Sequence, residues 1–260
     1  MANFIKVNGR DVHIKGWRPD KPDHRDLKMV ADASVALPKN VDLSPGCGPI
    51  LDQGQLGSCT ANSSTSAMEF LEKKAGKDIK IYSRLFLYYT ERVKLENTPA
   101  TSDSGAQIRD TLKALGYFGT CYETTWPYDT SRFSVDPSGP AWVEASKHRI
   151  TGYWSLPALH DIKYVMATLG LPVIGGFSVP ANMESAECAQ TGVVKYPAPD
   201  EDIVGGHAIL FVGYDDDKQL IKFQNSWSDQ WGDKGFGYLP YQFFTDGLAD
   251  DFWVIKTEQF

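Results

Sequence analysis

Long apolar runs are missing from this chain. No stretch of about 18 consecutive apolar residues occurs, so the pattern contains no membrane-spanning helix. The opening "MANFIKVNGRDVHIKG" has no apolar core of the kind a secretion signal needs. Residence in the cytoplasm is therefore the default expectation, with a non-classical secretion route left open. Basic charge is also scarce: 26 Lys and Arg stand against 33 Asp and Glu, a net charge of −7. Neither nucleic acid nor a membrane surface is an expected partner. Cysteine is sparse. Cys47, Cys59, Cys121 and Cys188 share no CxxC or Cys/His ligand spacing, so neither a metal nor any other cofactor is expected. If one of the four is a reactive thiol, at most one disulfide can form among the rest, and the spacing does not pair them. Internal repeats and low-complexity segments are absent.

What is present suits an ordinary globular protein. The 260 residues are 42% hydrophobic, enough for one large domain or two closely packed lobes. Residues 1–35, including "WRPDKPDHRDLK", are rich in Pro and charge without clear periodicity, and read as an arm. Such an arm is either an extended segment on the surface or a short inhibitory pro-segment crossing a functional site. Residues 36–145 read as mainly helical: one helix starts near Cys59 and runs to Gly76, a second covers "SRLFLYYTERVK" with Ser83 as N-cap, and a third covers "AQIRDTLKALG", closed by Gly116. Residues 146–260 hold one more helical pattern, "ALHDIKYVMATLG", and then become mainly β. "LPVIGGFSV", "HAILFVGYD", "LIKFQNSW" and "DFWVIKTE" are short apolar or alternating runs bounded by Gly, Pro and Asp. The fold class is α+β, with a cleft expected between a helical and a β-rich lobe.

Three segments can carry chemistry. "DQGQLGSCT" sets Gln53 six positions before Cys59, where a Gly-containing loop enters a helix. Backbone N–H groups and the positive helix end would favour a thiolate there, and the Cys59 N–H could serve a substrate oxygen. "GGHAILFVGY" places His207 after two glycines at the start of an apolar strand. "QNSWSDQWGDKGFGY" contributes Asn225 and Trp227. Because "HAILFVGYDDDKQLIKFQN" reads as a hairpin, its two ends, His207 and Asn225, are expected side by side, with the Asn fixing the imidazole tautomer.

In this order and spacing, "QGQLGSC", "GGHAILFVGY" and "NSWSDQWGDKGFG" resemble the papain family of cysteine peptidases, across roughly residues 38–255. "DSGAQIRDTLKALG", "CYETTWPY" and "LPVIGGF" further resemble its bacterial-type members. The resemblance implies a papain-like two-lobe fold, a helical left lobe and a β-barrel-like right lobe with the cleft between them. It implies a cysteine-type endopeptidase acting on peptide or protein substrates through a thioester. Cys59 would be the nucleophile, His207 the acid and base, Asn225 its orienter, and Gln53 an oxyanion donor, with Trp227 shielding the His–Asn bond. Ser104 and Gly105 would bond substrate backbone, and Gly176 would border the side-chain pocket. The same chemistry also serves a transpeptidase, a transamidase or a deconjugating hydrolase, and a catalytically dead peptide-binding scaffold would share the fold. Leu56 stands where many members have a disulfide-forming Cys, a loss that fits a reducing compartment. Thr60 and Asn62 replace aromatic residues of the family, and Gly206 replaces an Asp or Asn.

Overall fold

The computed structural model describes residues 4–7 and 10–257. Its centre is helix α1 (Cys59–Lys74), of which every residue from Cys59 to Leu71 is buried. A helix buried all round cannot show an amphipathic stripe, and this one carries small polar residues instead. Their hydroxyls turn back onto the helix: Thr65 Oγ1 donates to the Ala61 carbonyl (2.9 Å) and Ser63 Oγ to the Thr60 carbonyl (3.1 Å), so neighbours can pack closely.

Around α1 lie α2 (Arg84–Tyr89), α3 (Ile108–Tyr117) and α4 (Gly139–Ala145). Ser83 caps α2 as its sequence implied, accepting the Phe86 N–H at 3.1 Å, and the segment continues as a π-helical turn over Thr90–Leu95. The third helix runs one residue past Gly116, to Tyr117.

Most of the rest of the described residues build one antiparallel sheet of seven strands. Its strands are β3 (Asn40–Asp42), β4 (Gly152–Ser155), β5 (Val173–Pro180), β6 (Ile203–Asp215), β7 (Leu220–Gln224), β8 (Phe236–Pro240) and β9 (Ala249–Lys256), in the order β4-β9-β5-β6-β7-β8 with β3 also on β6. Short helices α5 (Leu159–Tyr164), α6 (Ala186–Thr191) and α7 (Gln242–Thr245) punctuate it. The four β-like runs of the sequence are β5, β6, β7 and β9, and β6 and β7 form the expected hairpin. A separate hairpin, β1 (Phe4–Val7) with β2 (Arg10–His13), was not anticipated in the arm. β3 was not anticipated either: three residues, none of them buried, leave no pattern to read.

Two apolar cores result, one around α1, α2 and α3 and one within the sheet. The arm touches both: Trp17 belongs to the helical core, Val12 and Ile14 to the sheet core. The four cysteines are free and buried, and among the described residues no helix is long and apolar enough to cross a membrane.

Candidate active site

Helix α1 begins at Cys59, so the thiol stands where a helix leaves its first N–H groups unpaired. The Cys59 Sγ accepts the Ala208 N–H at 3.3 Å, and the N–H groups of Thr60 and of Cys59 itself also face it. Ala208 follows His207 on β6, so the start of α1 and the start of the buried run of β6 meet at this sulfur.

The open end of the β6–β7 hairpin places His207 Nε2 2.8 Å from Asn225 Oδ1. Asn225 Oδ1 also accepts the Ser226 N–H at 2.8 Å, which turns the amide oxygen toward the ring. Nε2 therefore carries the ring proton and Nδ1 is left as acceptor. Nδ1 is buried without a hydrogen-bond partner. The Trp227 ring stacks on the imidazole with centroids 4.8 Å apart and covers the pair from solvent.

Gln53 reaches the same place from the other lobe. Its N–H donates to the Ser226 carbonyl (2.8 Å), and Asp52 pairs with Trp227, so the loop before Cys59 and the loop after Asn225 are stitched together. The side-chain Oε1 accepts the Ser226 hydroxyl at 2.6 Å, and Nε2 donates one N–H to the Leu56 carbonyl at 3.1 Å, keeping a second N–H to offer. Ser226 thus grips Gln53 at two points. It escaped the sequence reading because it sits between the more conspicuous Asn225 and Trp227. Tyr128, whose hydroxyl meets Ser58 Oγ (2.6 Å) and the Gln53 carbonyl (2.9 Å), has no local signature at all.

A thiol on a helix start, an oriented imidazole and a spare amide donor form the constellation that acyl transfer through sulfur requires. Comparison with known proteins agrees. The family model described as papain family cysteine protease matches residues 37–244. The chain belongs to the papain family. An uncharacterised peptidase C1-like protein of Acanthamoeba polyphaga mimivirus is 34% identical over 269 residues, covering 93% of this chain and 86% of that protein. Cathepsin L of Sarcophaga peregrina is 28% identical, covering 88% of this chain and 67% of that protein. The crystal structure of xylellain, a cysteine protease from Xylella fastidiosa, superposes with a TM-score of 0.86 at 36% identity, covering 99% of this chain and 98% of that one. The chain is a papain-like cysteine-type endopeptidase of bacterial type, with the α+β two-lobe fold of its family.

In this papain-family chain the cleft is full. Residues 14–18 of the arm run as an extended strand between its walls. On one side Gly206 N–H donates to the Ile14 carbonyl (2.7 Å) and Trp17 N–H to the Gly206 carbonyl (3.2 Å); on the other, Ala106 N–H donates to the Gly16 carbonyl (2.9 Å) and Arg18 N–H to the Ala106 carbonyl (3.0 Å). Both pairings are parallel. Gly16 passes directly over the thiol: a methyl group there would lie 2.6 Å from Cys59 Sγ and 2.7 Å from the Gly57 carbonyl oxygen. The Gly16 and Ile14 carbonyls are turned to the walls.

Ala106 makes the backbone pairing with the arm, and the neighbouring Gly105 carbonyl accepts the Arg18 Nη2–H at 3.5 Å. The Ser104 hydroxyl donates to the same carbonyl at 3.0 Å, and Gly105, at φ 63°, also leaves room for the arm backbone. The Trp17 indole packs against Gly176 and Gly206: a side chain on Gly176 would overlap the ring, and one on Gly206 would come within 2.9 Å of it.

The arm inverts the electrostatics expected from the helix start. Burial pushes the Cys59 thiol up to about 12, against the help of the Ala208 N–H. Burial likewise pulls His207 down to about 4, opposed by the bond to Asn225. Both residues are fully buried, and burial disfavours the charged form of each. Burial outweighs the helix end here, and the arm at Gly16 is part of what buries the sulfur.

Proposed function

We propose that Cys59, His207, Asn225 and Gln53 carry peptide hydrolysis, and that residues 12–18 hold this chain in a latent form. The reading rests on one observation above all: the His207 Nε2 to Asn225 Oδ1 bond leaves Nδ1 as the free acceptor in the site that contains the Cys59 thiol. With the arm displaced, water returns, the thiol proton passes to Nδ1, and the thiolate-imidazolium pair becomes the stable form. Sγ then attacks a peptide carbonyl. The oxygen takes the Cys59 N–H and the spare Gln53 N–H, donors worth about a hundredfold each in rate. His207 gives its proton to the leaving amine, then takes one from water as that water cleaves the thioester. Asn225 keeps Nε2–H in place throughout, and Trp227 keeps water from that bond.

Latency follows from three features of the arm. It covers the thiol with Gly16, it fills hydrogen bonds of both walls, and its Ile14 and Gly16 carbonyls are engaged there. The test is peptide hydrolysis by the full chain carrying Gly16→Ala, followed by mass spectrometry. Cleavage that disappears with an added Cys59→Ala supports the assignment; cleavage that survives it refutes Cys59 as nucleophile.

A further inference from the structure

Gln53 serves a reaction only if its spare N–H points at one place, and no covalent bond braces the loop that holds it. Leu56 stands where many papain-family members have a disulfide-forming Cys, and all four cysteines are free. The peptide unit between Leu56 and Gly57 is held in another way. Its carbonyl accepts two N–H groups, that of Gln53 Nε2 at 3.1 Å and that of Ser58 at 2.8 Å. Its own N–H, at the opposite end, is held by the Asp103 side chain, 3.1 Å from Oδ1 and 3.2 Å from Oδ2. A peptide unit is planar and rigid, so fixing its N–H fixes the direction of its carbonyl. That carbonyl commits one hydrogen of the Gln53 amide and thereby aims the other.

Asp103 is itself anchored. The Tyr88 hydroxyl donates to Asp103 Oδ1 and accepts the Gly105 N–H at 3.1 Å, and the Tyr88 side chain is fully buried on α2. A hydrogen-bonded chain from Gly105 through Tyr88 and Asp103 to Gly57 thus joins the wall that pairs with the arm to the loop that carries Gln53.

We propose that Asp103 is a positioning residue for peptide hydrolysis, aiming the spare Gln53 N–H at the oxyanion through the Leu56-Gly57 peptide. The proposal rests on the reading of Gln53 as an oxyanion donor and adds the residue that directs it. Without Asp103 the buried Gly57 N–H loses its acceptor, so the peptide turns in search of another and takes the Leu56 carbonyl off Gln53. Charge plays no part in this role. Gly57 and Tyr88 both meet Oδ1, an oxygen that asparagine would keep.

The test must separate aim from access, because His13 of the arm lies 3.8 Å from Asp103 Oδ2 and losing Asp103 also changes the arm's hold. Two rate constants are measured on the full chain carrying Gly16→Ala: kcat/KM for labelled casein, which offers many cleavage sites, and the rate of Cys59 alkylation by iodoacetamide. Both need an open cleft and a Cys59 thiolate, but alkylation displaces iodide from a saturated carbon and develops no oxyanion. Their ratio cancels cleft opening and thiol ionisation. Gln53→Ala is expected to lower the ratio about a hundredfold and Asp103→Ala about tenfold or more, with Asp103→Asn restoring it to within about threefold of the parent chain. Asp103→Leu, similar in size and without an acceptor, stands in if the alanine variant does not fold. In the Gln53→Ala background, adding Asp103→Ala should change the ratio little, since no amide is left to aim; an effect on substrate binding or packing would persist there. An Asp103→Ala ratio within about threefold of the parent, an asparagine variant as impaired as the alanine one, or a full further loss in the double variant each overturn the proposal while Gln53→Ala still reports the oxyanion site. A ratio unmoved by Gln53→Ala, or a parent chain that is alkylated but hydrolyses no casein, overturns the underlying reading and the proposal with it.

Discussion

In the latent form proposed above, Gly16 is the residue on which closure turns. No other side chain leaves room for the arm to cross at van der Waals distance from Cys59, because even a methyl group would collide with both Sγ and the Gly57 carbonyl. Neither of those atoms can retreat, one being fixed at the start of α1 and the other in the backbone. Overpacking of this kind costs about 1–3 kcal/mol, which should open the cleft about 5- to 150-fold more often. Gly16→Ala in the full chain is therefore expected to speed alkylation of Cys59 by that factor while the thermal midpoint of the protein body stays in place; an unchanged alkylation rate would show that the arm does not gate the thiol. At this scale the sequence is eloquent about some residues and silent about others. Gln53, Cys59, His207 and Asn225 were legible because each belongs to a short segment of fixed spacing. Gly16, Ser226, Asp103 and Asp251 were not, because their importance lies in partners 40 to more than 200 positions away.

Helix α1 shows what elements reveal and conceal. Hairpin β6–β7 was readable from its apolar alternation and its "YDDDKQ" turn, and α3 from its period; α1 was placed by Cys59 and its closing glycine, since a helix wrapped on all sides has no stripe. Its burial also traps Glu69. Oε1 accepts the Tyr82 N–H at 3.1 Å, but Oε2 has no partner, and burial pushes this carboxyl from an ordinary 4.5 up to about 8. The folded state thus holds a proton that the unfolded chain releases near pH 4.5. The stabilisation is fully present below that value and is lost as pH rises through about 8, a loss of roughly 3 kcal/mol between pH 5 and 8. Glu69→Gln, which cannot ionise, should flatten that decline. Thermal denaturation of both proteins from pH 5 to 8 checks it, and parallel curves would show that Glu69 is not the group responsible.

On the scale of the whole molecule, the arm is a strap laid over both lobes, and its hold is linked to protons from two sides. Beyond the cleft, Asp20 accepts the Arg109 N–H (3.1 Å) and the Trp253 indole N–H (2.9 Å) and lies beside Asp251. Burial first, and then the neighbouring Asp251 carboxylate, raises Asp20 to about 7; burial raises Asp251 to about 6, with Asp250 adding to it and Arg109 opposing both shifts. A released arm would return Asp20 to the ordinary range, so this contribution to closure is complete below about pH 4 and is lost as pH rises through about 7. His207 and His13 work in the opposite sense. Burial lowers both, so their contribution is complete above 6.5 and is lost as pH falls, through about 4 for His207. The two sets oppose each other over the same window, and removing one should expose the other. Asp20→Asn is expected to leave the arm no looser in acid but to hold it more tightly toward alkaline pH. The ratio of Cys59 alkylation rates, variant over unchanged chain, cancels the thiol's own titration. It should fall by about tenfold or more from pH 4 to pH 8. A ratio that stays flat would mean that Asp20 keeps its ordinary titration within the closed strap, and that the carboxyl pair plays no part in its release.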